Sequence, residues 1–227
     1  MSVWRSLAWN VYKDLCLMRR ALVFYSAMVL VFAALDSGRN SGPMLGVLAA
    51  SVVMTPNWLA YTEERSRGLV LQRTLPIAPW VIVGAKYVDT LLVAGWLGLL
   101  GAVAAMAAGG ATPGLPAATS LVGGTAALTV AAALVPAGIS LWAFFRWGYQ
   151  AARYALLGFF MAVMAVFVLL SERLPLQGGP SDGVPGGALA PVPGGPGWAA
   201  VTLVGVALGL YLLAAVASYR AMRGREL

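Results

Sequence analysis

The residues of this sequence that could take part in chemistry are few, and they are concentrated between positions 63 and 87. That segment begins with Glu63 and Glu64, continues with several arginines, and turns at Pro76. It lies between two long apolar runs. A chain that is otherwise lipid-soluble but concentrates charge in one internal segment is suited to present that segment to a soluble partner.

The chemistry of most enzymes is missing from the sequence. There is no histidine, so Ser-His pairs and histidine metal sites are excluded, and the one cysteine, Cys16, leaves nothing for a thiolate metal site. No Gly-x-x-x-x-Gly-Lys-Ser/Thr loop is present, so this chain does not bind nucleotide in the P-loop manner. The sequence therefore predicts a protein that is not an enzyme and holds no cofactor or metal.

One carboxylate lies close to a predicted membrane span. Asp89 follows Lys86 by three residues, a spacing that places both side chains on one face of a helix. We expect an ion pair near the inner end of the third span. A proton relay through Asp89 is the alternative, because ionisable groups inside a membrane are often functional.

The composition indicates an integral membrane protein. Hydrophobic residues make up 60% of the chain and charged residues 10%, against about 25% charged residues in a soluble domain. A bilayer core of about 30 Å needs roughly 20 apolar residues to cross it as a helix. The runs are continuously apolar rather than alternating, so they predict an all-α protein with six transmembrane helices in one domain, residues 1–227. The predicted spans are 21–35, 43–62, two within 90–145 divided by the Gly- and Pro-rich segment 109–116, 154–171, and 198–218.

The positive charges predict the orientation of these spans. With the N-terminus in the cytoplasm and six spans, every Lys and Arg except Arg39 and Arg173 falls on the cytoplasmic side. Both termini are then cytoplasmic. The formal net charge of +7 is explained by basic residues that face anionic membrane lipid. Nucleic acid is not expected as a partner.

Three segments are predicted to lie outside the spans. In residues 1–18, apolar side chains recur every three or four positions, with polar residues between them. This spacing predicts an amphipathic helix on the inner membrane surface. Residues 174–197 are dense in Pro and Gly and predict a flexible external loop. Residues 63–80 predict a charged helical segment with an apolar face, for which an ordinary amphipathic surface loop is the alternative.

Short motifs along the chain resemble the permease subunits of type-2 ABC exporters, in the small bacterial six-helix branch. They are Lys13-Asp14-Leu15 in the N-terminal helix, Glu63-Glu64 with Arg67, Leu75-Pro76-Ile77, and Ala85-Lys86-Tyr87. The chain departs from the pattern in two places. Thr74 stands where a serine is usual before Leu-Pro, and the Pro- and Gly-rich loop replaces short re-entrant helices.

The resemblance implies a permease that pairs with a second copy of itself and with two copies of a separate ABC ATPase subunit, which binds ATP and Mg²⁺. It implies location in the bacterial plasma membrane and export of an amphipathic or hydrophobic substrate such as a peptide or an antibiotic. A non-transporting membrane anchor or scaffold, or a proton-coupled carrier, is the alternative. The loop after the second span would be a coupling helix, and its contacts with the ATPase would be Glu63, Glu64, Arg65, Arg67, Leu71, Arg73, Leu75 and Pro76.

Overall fold

The computed structural model describes residues 3–35, 42–66, 78–109, 116–173 and 196–224. These residues form six helices, and no strand occurs within the described ranges. The helices are α1 (Val3–Leu35), α2 (Gly42–Ser66), α3 (Pro79–Gly109), α4 (Pro116–Trp147), α5 (Tyr149–Arg173) and α6 (Pro196–Arg223).

The predicted all-helical, multi-pass architecture is confirmed. Within the described residues, α1, α2, α3, α4 and α6 each contain a stretch long and apolar enough to cross a membrane. Five of the six predicted spans therefore have a helix that meets the criteria of length and composition.

The N-terminal segment differs from the prediction of a separate surface helix. Residues 3–35 form one continuous helix that contains no Gly or Pro to interrupt it. At 1.5 Å per residue it extends about 50 Å, well beyond a bilayer core of about 30 Å. The amphipathic part is therefore the first half of the same helix that carries the first apolar run.

The fourth helix is the centre of the bundle. It packs against α2, α3, α5 and α6, whereas α1 packs against α2 and α3. One glycine allows the close approach of α4 to α6, because a Cβ added at Gly138 would lie 3.0 Å from Cδ2 of Tyr211. Tyr211 is 1% exposed, so the contact lies in the interior of the bundle.

A single residue joins α4 to α5. Gly148 has a φ of 95°, in the left-handed region that favours glycine. Its N–H donates to the carbonyl of Phe144 at 2.8 Å, and its carbonyl accepts from the N–H of Ala152 at 3.2 Å. Because both backbone groups are satisfied, α5 can begin directly after α4 ends, without a longer loop.

Exposed aromatic side chains mark one end of the bundle. They lie near the start of α1, the end of α2, the start of α3 and the junction of α4 with α5. The ring centroids of Tyr61 and Tyr149 are 5.8 Å apart, so the junction of α4 with α5 lies beside the end of α2. Amphipathic rings are enriched at the membrane interface, so this end of the bundle fits the headgroup region. The exposed rings at this end are Trp4, Trp9, Tyr12, Trp58, Tyr61, Trp80 and Trp147, whereas Phe24, Trp96 and Phe160 are exposed further along their helices.

The predicted external loop lies almost wholly outside the described residues. Its last two positions, Pro196 and Gly197, are the first two residues of α6. Proline is favoured in the first turn of a helix, because its missing N–H would have no partner there.

Candidate functional site

Three helices bring five charged side chains together near the aromatic end of the bundle. Lys13 and Asp14 belong to α1, Glu63 to α2, and Lys86 and Asp89 to α3. Four of the five are buried: Asp14 is 1%, Glu63 3%, Lys86 2% and Asp89 0% exposed. The Lys13 side chain is 34% exposed and lies at the edge of the group. We call these five residues the charge cluster.

Lys86 is at the centre of the charge cluster. Its Nζ lies 2.6 Å from Oδ2 of Asp14 and 2.5 Å from Oε1 of Glu63. The ammonium of Lys13 lies 3.3 Å from the same Glu63 oxygen and 3.4 Å from Oδ1 of Asp14. The ion pairs therefore connect α1, α2 and α3 to one another at a single point.

The sequence of each helix explains how the side chains reach this point. In α1 the buried positions Asn10, Asp14, Met18 and Ala21 recur every three or four residues and form one stripe. In α2, Glu63 is the buried member of the last turn, whereas Glu64 beside it is exposed. The stripe of α1 and the last turn of α2 thus face the first third of α3.

Burial makes these ion pairs mutually dependent. Removing a charge from water costs several kcal/mol, and an opposite charge at short range compensates for it. Lys86 needs three hydrogen-bond acceptors to satisfy its ammonium, and two of them are the carboxylates of Asp14 and Glu63. Loss of either carboxylate leaves a buried cation with one fewer partner.

Asp89 occupies a different position in the charge cluster. Neither of its oxygens accepts a hydrogen bond from any described residue. Its carboxyl group is close enough to Asp14 for the two to repel each other when both are ionised. With every group ionised, two ammonium groups face three carboxylates, so the cluster carries one excess negative charge.

A second polar network starts at the residue beside Lys86. The hydroxyl of Tyr87 lies 2.8 Å from the hydroxyl of Ser218 and donates to the carbonyl of Gly138 at 3.3 Å. The hydroxyl of Tyr211 donates to the carbonyl of Tyr87 at 2.9 Å. Lys86 thus binds α1 and α2, while its neighbour Tyr87 binds α4 and α6. The first third of α3 connects all four of these helices.

The predicted pairing of Lys86 with Asp89 is replaced by pairing between helices. Lys86 makes its ion pairs with Asp14 and Glu63, and Asp89 is buried beside them with no hydrogen-bond donor from the described part of the chain. Three-residue spacing allows two side chains to share a face, but the buried Lys86 ammonium is nearer to carboxylates that approach it from α1 and α2.

The structure separates the predicted contacts with an ATPase into three groups. Glu63 is buried in the charge cluster, with its carboxylate facing α1 and α3. Glu64 and Arg65 are exposed at the end of α2, where Arg65 donates to the Tyr61 hydroxyl at 3.2 Å. The other predicted contacts, Arg67, Leu71, Arg73, Leu75 and Pro76, lie outside the described residues. Their role in binding an ATPase stays a prediction.

Two members of the charge cluster were not identified as site residues from the sequence. Lys13 and Asp14 served there only as part of a motif. A signal for Asp14 was nevertheless present, because it lies on the same helical stripe as the apolar Met18 and Ala21. A carboxylate on the buried stripe of an amphipathic helix requires a cation from another element.

The fold and the charge cluster define a class: a multi-pass helical membrane protein with a buried ionic connection at one end of the bundle. The family follows from comparison with known proteins. The family model described as "ABC-2 family transporter protein" matches residues 11–222, nearly the whole chain. The chain belongs to this family and is a transporter permease subunit. No curated protein and no solved structure matches the chain.

Proposed function

We propose that this chain is the permease subunit of an ATP-driven exporter and that a separate ABC ATPase supplies the energy. Membrane proteins of the ABC-2 family generally pair with an ATPase subunit. The absence of a P-loop from the sequence supports a division in which ATP and Mg²⁺ bind to the partner. Two permease chains and two ATPase subunits would complete the transporter.

The observation that carries this proposal is the position of Glu63. It lies in the last turn of α2, at the start of the segment 63–80 that is predicted to contact the ATPase. The same side chain is ion-paired to Lys13 and Lys86. A force applied to the end of α2 would therefore act directly on α1 and α3. This is the mechanical connection that a coupling element requires.

An apolar cavity supports an amphipathic or hydrophobic substrate such as a peptide or an antibiotic. The cavity has a volume of about 360 Å³ and lies between α3, α4 and α6. Its lining contains no charged residue among the described side chains and includes Leu91, Gly98, Val130 and Leu208. A site of this size and character would bind part of an apolar molecule.

The distribution of charge and aromatic residues supports the orientation. The charge cluster and most of the exposed Trp and Tyr side chains lie at one end of the bundle. Most of the Lys and Arg residues belong to the helix ends and connecting segments on that side. We place this end at the cytoplasmic face of a bacterial plasma membrane, with both termini in the cytoplasm.

Reconstitution tests the proposed function. The tagged chain is purified from its native membrane, and co-purifying proteins are searched for a subunit with Walker motifs. The pair is then placed in proteoliposomes, where the chain should stimulate ATP hydrolysis and ATP should drive uptake of a fluorescent hydrophobic peptide into inverted vesicles.

The alternatives give different results in the same assay. A membrane anchor or scaffold would bind the ATPase without ATP-driven uptake of any peptide or drug tested. A proton-coupled carrier would take up substrate in response to a pH gradient, without the ATPase. Either result would contradict the proposal.

A further inference from the structure

A groove on the lipid-facing side of the bundle ends at an arginine. The groove has a volume of about 740 Å³ and lies between α1 and α3. From α1 it is lined by Leu15, Arg19, Leu22, Val23, Ser26, Ala27 and Leu30, and from α3 by Leu92, Val93 and Trp96. Arg19 is the one charged residue in this lining, so the groove is apolar along its length and cationic towards one end.

The sequence of α1 builds the groove along one helical face. Leu15, Arg19, Leu22, Ser26 and Leu30 are spaced by three or four residues. The distance from Arg19 to Leu30 along the helix is about 16 Å, close to the thickness of one leaflet, which is about half of a 30 Å core. The apolar part of the groove therefore matches one leaflet in length.

A hydrogen bond between the two helices holds the middle of the groove. The indole Nε1 of Trp96 donates to Oγ of Ser26 at 3.1 Å. This contact satisfies the two polar groups at that level and leaves the rest of the surface apolar. The groove is thus a formed feature between two packed helices.

The Arg19 guanidinium lacks a counter-ion in the described part of the chain. It is exposed, and none of the ion pairs between described residues includes it. It lies about 7 Å further along α1 than Asp14, at the depth where the apolar run begins. An arginine at the edge of the hydrocarbon region is stabilised by an anionic group at the interface.

We propose that this groove binds one anionic phospholipid of the cytoplasmic leaflet. The phosphate would pair with the Arg19 guanidinium, which offers bidentate donors to phosphate oxygens. An acyl chain would lie along Leu22, Ala27 and Leu30 and pack against Trp96. The cationic end and the leaflet-length apolar surface are complementary to the two parts of such a lipid.

Native mass spectrometry with a matched pair of variants tests the site. The full chain is assembled into nanodiscs containing equal amounts of phosphatidylglycerol and phosphatidylcholine, extracted in mild detergent, and analysed for bound lipid. Retained lipid should be enriched in phosphatidylglycerol. Arg19→Gln should reduce this enrichment about fivefold, since one basic residue near an anionic surface contributes about 1 kcal/mol.

The control is Arg20→Gln, because Arg20 is also exposed and adjacent but does not line the groove. It should retain the enrichment of the unmodified chain, and Arg19→Lys should recover most of it. Ala27→Phe, at an exposed position, should fill the groove and reduce retention of lipid with Arg19 intact. Size-exclusion profiles and helical circular dichroism identify any variant that does not fold.

Three results would overturn the proposal. Equal effects of Arg19→Gln and Arg20→Gln would indicate general attraction to a charged surface. Unchanged retention in Ala27→Phe would show that no acyl chain occupies the groove. Conversion of dimers to monomers by Ala27→Phe, with lipid unchanged, would show that a second copy of the chain covers this face. None of these readouts depends on transport.

Discussion

The Nζ atom of Lys86 lies 2.6 Å from Oδ2 of Asp14, a residue 72 positions earlier in the chain. Both side chains are buried, and the same Nζ lies 2.5 Å from Oε1 of Glu63. The pairing joins the N-terminal helix to the third helix at the end where the second helix finishes. The charge cluster is therefore a structural connection between distant parts of the sequence, and its members can be tested separately.

Removal of the central cation should destabilise the bundle. We expect Lys86→Met to lower the free energy of unfolding by about 3–5 kcal/mol, because it leaves Asp14 and Glu63 buried without their main partner. Lys13→Met should cost no more than about 1 kcal/mol, because that ammonium is partly exposed. Denaturant unfolding in mild detergent, followed by tryptophan fluorescence, measures both. Equal losses in the two variants would contradict the central role of Lys86.

Neutralising Asp89 should have an effect opposite to that of neutralising Asp14. Asp89→Asn removes a buried carboxylate that has no hydrogen-bond donor among the described residues, and it brings the charge cluster to a balance of two and two. We expect unchanged or increased thermal stability. Asp14→Asn removes a partner of Lys86 and should lower stability by about 3 kcal/mol or more. Greater loss in Asp89→Asn than in Asp14→Asn would show that Asp89 is a main partner of the cation.

Two adjacent glutamates give a test of coupling. In the reconstituted complex, Glu63→Gln should reduce substrate transport per ATP hydrolysed, because it weakens the connection of α2 to α1 and α3. Glu64→Gln, an exposed neighbour with the same change in charge and a predicted contact with the ATPase, should instead weaken binding of the ATPase and leave the ratio in the complexes that form within about twofold. Transport and phosphate release are measured on the same vesicles. A normal ratio in Glu63→Gln would remove the charge cluster from the coupling mechanism.

Thiol labelling tests the orientation. In a Cys16→Ala background, cysteines at positions 41 and 181 should react with an impermeant maleimide added to intact cells, and a cysteine in place of Ser66 should react only after the cells are opened. Ser66 is an exposed residue at the end of α2, so access to the reagent does not depend on unfolding. External labelling at position 66 would reverse the proposed topology.

Close packing of α4 against α6 should be sensitive to the size of one residue. A side chain at Gly138 meets Tyr211, whose hydroxyl is held by the Tyr87 carbonyl. We expect Gly138→Val to lower the free energy of unfolding by about 1–3 kcal/mol through overpacking. A Cβ at Gly209 of α6 meets nothing within 4 Å, so Gly209→Val is the matched control and should be tolerated. Similar stability of the two variants would show that α4 and α6 can separate without cost.

The fold could be predicted from the sequence because membrane spans have a local signal. Apolar runs of about 20 residues, interrupted by Gly, Pro or charge, are sufficient to locate helices in a bilayer. The division of residues 90–145 at Gly109 and Pro116 agrees with the end of α3 and the start of α4. The continuity of α1 was missed because Arg19 and Arg20 resemble a boundary, although no helix-breaking residue accompanies them.

The candidate site was predictable only in part, because it is built from contacts between helices. The sequence drew attention to Glu63, Lys86 and Asp89, and all three are in the charge cluster. Helical spacing within α3 favoured a pair between Lys86 and Asp89, but it carries no information on what α1 and α2 bring to the same place. The cation of Lys86 instead binds Asp14, whose position on the buried stripe of α1 indicates burial but not which cation it binds.

The one-residue turn at Gly148 has a consequence for how the protein enters the membrane. The helices α4 and α5 pack against each other and are joined through a single non-helical residue. The junction is flanked by Arg146, Trp147 and Tyr149, which favour the interface over the hydrocarbon. The translocation machinery would therefore receive α4 and α5 as one unit, with the junction left at the surface that we propose to be cytoplasmic. A defect at this glycine would appear during biosynthesis, before any partner subunit is bound.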